Sequence, residues 1–299
     1  MNAESSPLRS TGTTSSDMRA IWPGALLVVY LAITGFALLV GFDRVWGGGV
    51  ALHFGVLLAI AAATWIEPVP RWLRSWAPLL ALLFLYSEMP MLIRVAGHAD
   101  LFDATVIRWE RTLFGSQPAL EWAIRWPALW LSETLHLAYL AYYPMIFAVP
   151  AALYFTTRGA EFSEAVFVLM LAFIVCFLCY IAFPVAGPRY SWATTSAAPR
   201  GPARSLVVWL LESRSSRGTA FPSSHVAVAV TQALLAFRYF GRKGVILASL
   251  TFGLALGAVY GGFHYAVDVI TGLVIGCVIT PLGLLSVKRR DQANATAPT

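Results

Sequence analysis

Residues 222–287 read PSSHVAVAVTQALLAFRYFGRKGVILASLTFGLALGAVYGGFHYAVDVITGLVIGCVITPLGLLSV. Three apolar runs fill this stretch, at 222–239, 244–262 and 265–287. A membrane-crossing helix needs about 20 mainly apolar residues, so each run is a candidate span. The chemistry-bearing residues sit at the run ends: Phe221-Pro222-Ser223-Ser224-His225 before the first, His264-Tyr265-Ala266-Val267-Asp268 at the start of the third. A chain that descends from His225, turns at Gly241-Arg242-Lys243-Gly244 and rises again returns His264 to the depth of His225 on a neighbouring helix. Gly253, Gly257 and Gly261 recur every fourth residue of the rising run, a spacing that lets helix backbones approach closely in a membrane.

Five further runs precede these, at 24–42, 50–66, 77–95, 131–155 and 164–184. The predicted fold is therefore all-α: a polytopic membrane helix bundle of about eight spans. Composition agrees. Of 299 residues, 58% are hydrophobic and 12% charged, with a mean hydropathy of +0.69. Soluble domains carry about 25% charged residues. The net charge of +6 is not a nucleic-acid signal, because the basic residues, all but two of them Arg, lie in loops between apolar runs. Cys176, Cys179 and Cys277 lie inside apolar runs and are expected to be free, buried thiols. The expected organisation is a disordered cytoplasmic tail at 1–22, two additional spans at 23–76, a six-helix catalytic domain at 77–287 and a cytoplasmic tail at 288–299. The first run lacks a small-residue cleavage site and reads as an uncleaved anchor.

Orientation follows from the basic residues. With both termini inside, the short inner loops hold Arg71, Arg74, Arg158, Arg238, Arg242 and Lys243, whereas the short outer loops hold only Arg44. The expected location is the plasma membrane of a bacterium, with both termini cytoplasmic and the site outside. Segment 96–130 mixes Trp109, Trp122, Trp126 and Trp130 with Asp100, Asp103, Arg108, Glu110 and Arg111. That mixture suits helices lying at the lipid–water boundary.

At the outer end, the spacing places His225, His264, Asp268 and Arg189 around one pocket. His264 and Asp268 are four apart and share a helix face. A carboxylate bonded to one imidazole nitrogen fixes the tautomer and leaves the other nitrogen nucleophilic. Pro222 suits a helix first turn, and the amides of Ser223, Ser224 and His225 would make an anion site at a helix N-terminus. Arg189 can grip phosphate oxygens in a fork, and His225 can serve as general acid. Glu133, His136 and Tyr139, near the outer end of the 131–155 run, are candidates for headgroup or acceptor binding, or equally for a polar tie between helices. His53, His98 and Glu88 show no placed partner. Ligation of Zn²⁺ by His225, His264 and Asp268, in a hydrolase or a transporter, stays open as another class, as does an inactive lipid-binding relative.

These segments resemble the type 2 phosphatidic acid phosphatase superfamily. Its Pro-Ser-x-His stretch matches Pro222, Ser223 and His225; its His-x3-Asp matches His264 and Asp268; the Arg of its Lys-x6-Arg-Pro matches Arg189. The likeness covers roughly 130–287. It implies a phosphohistidine on His264, no cofactor and no metal, and a lipid phosphate or phospholipid as substrate among membrane lipids, with no nucleic acid. The chain departs from the pattern where the family Lys falls on Ala182, the Pro after the Arg on Tyr190, and the Ser-Arg of the last motif on Gly257-Ala258. Similar departures mark the branch related to inositol phosphorylceramide synthases, which implies headgroup transfer as the alternative to hydrolysis. Arg217, Arg214, Arg200 and Arg204 are the candidates to supply the missing charge, with Arg217 the first choice.

Overall fold

The structure is a computed structural model and describes residues 15–66, 68–192, 197–214 and 216–296. Among these residues it is all-helical, with one isolated parallel bridge between Val185 and Thr219. Helix α1 (Ser15–Val40) starts inside the 1–22 stretch expected to be a disordered tail, whose first 14 residues lie outside the described residues. α1 packs against α2 (Gly47–Trp65) and against α10 (Gly159–Ala182). Between them lie α3 (Arg71–Leu80), α4 (Leu82–Ser87) and α5 (Met89–Ala96), which form a bent stretch with a 55° break at Glu88. The short helices α6 (Asp103–Phe114) and α7 (Pro118–Arg125) follow, then α8 (Leu129–Leu140) and α9 (Tyr142–Phe155), bent by 41° at Ala141. After α10 come the single turn α11 (Pro188–Ser191), α12 (Pro202–Arg214), α13 (Ser224–Phe240), α14 (Gly244–Tyr260) and α15 (Ala266–Thr296).

Among the described residues five helical stretches are long and apolar enough to cross a membrane, and up to seven when each bent pair counts as one span. One of the five, Ser224–Tyr260, doubles back. Thr251 Oγ1 donates to Ala229 O, a contact across 22 residues that no straight helix permits, since a helix rises about 1.5 Å per residue. Counting α13 and α14 separately restores the eight runs of the sequence. The fold-back falls at Gly241–Lys243, as the spacing predicts.

α13 is the central helix: α9, α10, α14 and α15 surround it, and residues 226–233 are buried without a break. Its one buried amide has a backbone reason. Pro150, inside α9, has no N–H to offer Ile146 O, four residues back. Gln232 fills the gap: its Nε2 donates to Ile146 O, and its Oε1 accepts from Val149 N. In lipid an unpaired backbone group costs several kcal/mol, so one side chain makes the proline tolerable.

His53 and Glu88, expected to lack partners, are each other's partner at 2.7 Å, His53 fully buried. His53 Nε2 lies 2.8 Å from Leu31 O, which only accepts, so Nε2 carries a hydrogen. A single proton then lies between Nδ1 and Glu88 Oε2. The pair ties α1 and α2 to the bend between α4 and α5, which sequence separation concealed. Cys277 corrects another expectation. It is exposed on the bundle surface, whereas Cys176 is buried and Cys179 half-buried; all three thiols are free.

Candidate active site

The site forms where α10 ends and where α13 and α15 begin. Gly272 and Gly276 of α15 decide the approach. A Cβ on Gly272 would stand 2.4 Å from Ser223 O, and one on Gly276 2.7 Å from Ala227 O. α15 therefore lies backbone-to-backbone on the first turns of α13, and Ser223 N donates to Asp268 O across the seam. The glycines singled out in the sequence face elsewhere. Gly257 sits under Leu135 O and Gly253 against Ala138, both on α8.

That seam brings His225 and His264 together, with ring centroids 5.6 Å apart. His264 Nδ1 is 3.0 Å from Ala220 O and 3.4 Å from Asp268 Oδ2. A carbonyl accepts only, so Nδ1 carries a hydrogen, and in the neutral ring Nε2 is the nitrogen with the lone pair. The backbone carbonyl of Ala220, not Asp268 alone, fixes the tautomer, which the sequence did not reveal. Asp268 also has a structural duty. At the third position of α15 its Oδ2 accepts from Tyr265 N at 2.8 Å, half of a capping box. His225 stacks on Tyr139 (5.3 Å, 26°) and lies against Tyr142 (4.3 Å). Tyr139 Oη is 3.4 Å from His225 Nε2.

Arg189 rides on α11 behind Gly187, whose φ of 98° belongs to the left-handed region that glycine tolerates. It lines a small cavity of about 30 Å³ with Tyr86, Tyr139, Ala220, His225 and His264. A second cavity of about 240 Å³ shares Arg189, Leu211 and Phe263 with the first, and adds Tyr190, Arg204, Val208, Glu212 and Gly261.

Several expectations are corrected. Pro222 lies outside the first turn of α13; Ser223 is the N-cap, its Oγ accepting from Val226 N. Two of the three amides proposed for the anion site are engaged: Ser223 N with Asp268 O, Ser224 N with Tyr180 Oη. Glu133 is a cap for another helix, accepting from Ala203 N and Arg204 N at the start of α12. His136 is fully buried, its Nδ1 on Ser132 O. Of that group only Tyr139 reaches the site. Among the arginines, Arg217 is exposed over the Tyr190 ring and lines neither cavity, Arg200 is exposed beside Ser205, and Arg204 lines the larger cavity. The side chain of Arg214 lies outside the described residues. Among the described residues no three His, Cys, Asp or Glu side chains converge as metal ligands.

The sequence reading missed the carboxylates beneath the site. Asp103 accepts from Ala186 N, Gly187 N, Ser191 Oγ and Tyr265 Oη. Glu110, fully buried, accepts from Ala266 N at the start of α15. Burial, and then the charge of Asp268, push its carboxyl up to about 7. Both had been grouped with an interfacial belt. Their signal was the seven-residue spacing, which puts them on one face of α6.

A helical bundle with two histidines, a carboxylate and an arginine gathered at one end defines a class: a polytopic helical membrane protein with a polar cluster at the end of its central helices. The family model described as PAP2 superfamily matches residues 104–282, more than half of the chain, and the chain belongs to that superfamily. No curated protein and no solved structure matches it.

Proposed function

We propose that this chain is a lipid-phosphate phosphatase or phosphotransferase that works through a phosphohistidine on His264. Superfamily membership makes phosphatase or phosphotransferase chemistry the expected class. The observation that carries the finer reading is the Nδ1 hydrogen held by Ala220 O and Asp268, which leaves Nε2 as the ring nitrogen available for attack, His264 and Arg189 lining one cavity. In the first step Nε2 attacks phosphorus and the bond to the lipid oxygen breaks, His225 giving that oxygen a proton. In the second, water or an alcohol attacks phosphorus, passes its proton to His225, and the N–P bond breaks. Arg189 offsets the negative charge on the phosphoryl oxygens. No step requires a metal. The basic turns, linked by Arg158 to Tyr239 O and Arg238 to Glu164, lie at the opposite end of α13 from His225. With the positive-inside rule, this arrangement supports a site outside the cytoplasm.

The test is phosphate release from a panel of lipid phosphates by the detergent-purified protein in excess EDTA, beside His264→Ala. Release by the wild type alone supports the reading, and equal release by the variant refutes it. The larger cavity favours a second reading, transfer of a phosphorylated headgroup. It adjoins Arg189 and offers both Arg204 and Glu212 to a hydroxylated substituent that stays on phosphorus. An Arg204→Ala variant that loses turnover of phosphodiesters such as phosphatidylinositol, while keeping that of phosphatidic acid, would select it.

A further inference from the structure

The fixed partners of the reacting groups converge on α6. Asp103 opens this helix, and its two oxygens hold both sides of the Arg189 turn. Oδ2 accepts from Ala186 N at 2.8 Å, and Oδ1 from Gly187 N at 2.9 Å and Ser191 Oγ at 3.0 Å. The same Oδ1 is 3.0 Å from Tyr265 Oη, the residue next to His264, and Tyr265 Oη is also 2.8 Å from Ser191 Oγ. Two turns further along, Glu110 Oε1 takes the first amide of α15, Ala266 N. Around the loop, Val185 N donates to Gly218 O and Ala220 N to Val185 O. The arginine turn is thereby fastened to the loop segment whose Ala220 O holds His264. α6 itself contributes no atom to either cavity lining described above.

We infer that Asp103 and Glu110 are positioning residues, through which α6 sets where Arg189 and His264 stand relative to the phosphoryl group. This rests on the reading of His264 as the nucleophile. The chemistry of the donors makes the inference specific. Asp103 meets a backbone N–H on each oxygen, so an asparagine in either flip turns its NH₂ against an N–H. Glu110 takes Ala266 N on Oε1, with Val267 N also acting on the carboxyl, while Oε2 makes no hydrogen bond of its own, so a glutamine with its oxygen at the Oε1 position keeps the Ala266 contact and an alanine loses it. Asp103→Asn is therefore disruptive, and Glu110→Gln is conservative. Tyr265→Phe removes one donor to Asp103 while leaving the buried ring in place.

The probe is orthovanadate, which takes up the five-coordinate geometry of a phosphoryl group in transfer. Its binding to the detergent-purified full chain is measured by calorimetry, with thermal unfolding as the check on folding. The wild type is expected to bind. His264→Ala is expected to bind at least tenfold more weakly. A displacement of about 1 Å at a reacting group costs about 10²-fold, so Asp103→Asn and Glu110→Ala should weaken binding by about 10- to 100-fold. Glu110→Gln should stay within threefold of the wild type. If Asp103→Asn does not fold, Tyr265→Phe carries the same expectation of weaker binding. Wild-type affinity in Asp103→Asn (or Tyr265→Phe) and Glu110→Ala, with His264→Ala impaired, overturns the inference and leaves the nucleophile standing. Equal loss in Glu110→Gln and Glu110→Ala also overturns the assignment of Glu110. Unimpaired binding by His264→Ala, or none by the wild type, overturns the reading of the site and the inference with it.

Discussion

Replacing Gly272 by alanine probes the seam on which the site depends. The new Cβ would stand 2.4 Å from Ser223 O and 3.3 Å from Ala227 N. Ordinary contact begins near 3.4 Å, so α13 and α15 must separate by about 1 Å. Neither obstructing atom is a side-chain end that can swing away. Ser223 O accepts Ala227 N in the first turn of α13, and Ser223 N donates to Asp268 O. The separation thus moves His225 relative to His264 and strains the hydrogen bond beside Asp268. Overpacking of this kind costs about 1–3 kcal/mol of stability, and a 1 Å misplacement at a reaction centre costs about 10²-fold in rate. The expected outcome is a roughly 100-fold loss of kcat/KM for lipid phosphate, with most of the protein still folded. Gly55→Ala is the control. Its Cβ would meet nothing within 4 Å, and removing a glycine from a helix interior stabilises by up to about 1 kcal/mol, so turnover should be unchanged. The assay is phosphate release alongside thermal unfolding in detergent. A folded Gly272→Ala protein with wild-type turnover would refute the reasoning, because the seam would then not set the distance between the histidines.

Two further predictions concern groups outside the reacting cluster. His53→Ala leaves Glu88 buried without its partner, and breaking a buried pair costs about 3–5 kcal/mol; thermal unfolding in detergent should show this, with turnover per folded molecule retained, and a loss under about 1 kcal/mol would mean that the pair is not a fastening. Burial and the nearby Asp268 raise the Glu110 carboxyl from 4.5 to about 7, so the folded chain keeps a proton that the unfolded chain releases. Its contribution is therefore complete below pH 4.5 and is lost as the pH rises through about 7. Stability measured against pH should fall more steeply for the wild type than for Glu110→Gln over that window, and identical slopes would contradict it.

Much of this protein was legible in one dimension. Runs of about 20 apolar residues identify spans because lipid offers no partner for a backbone group, and helices alone satisfy such a chain internally. The pairing of His225 with His264 was legible for a related reason. Two helices of equal length joined by a tight turn must return to the same level, and a His-x3-Asp spacing fixes a shared face. The residues beneath the site were not legible. Asp103 lies 162 positions from Tyr265, and Glu110 lies 156 from Ala266; in sequence their seven-residue spacing shows a shared helix face, but not that this face is packed under the site rather than solvated. The amides of Ser223 and Ser224 looked free because the sequence cannot show that Asp268 O and Tyr180 Oη reach them. His53 and Glu88 looked partnerless for the same reason. Periodicity determines which faces are apolar and where helices end. Which polar groups meet is decided only when the helices pack, because a hydrogen bond is satisfied by whatever lies about 3 Å away, and only the tertiary structure sets that neighbour.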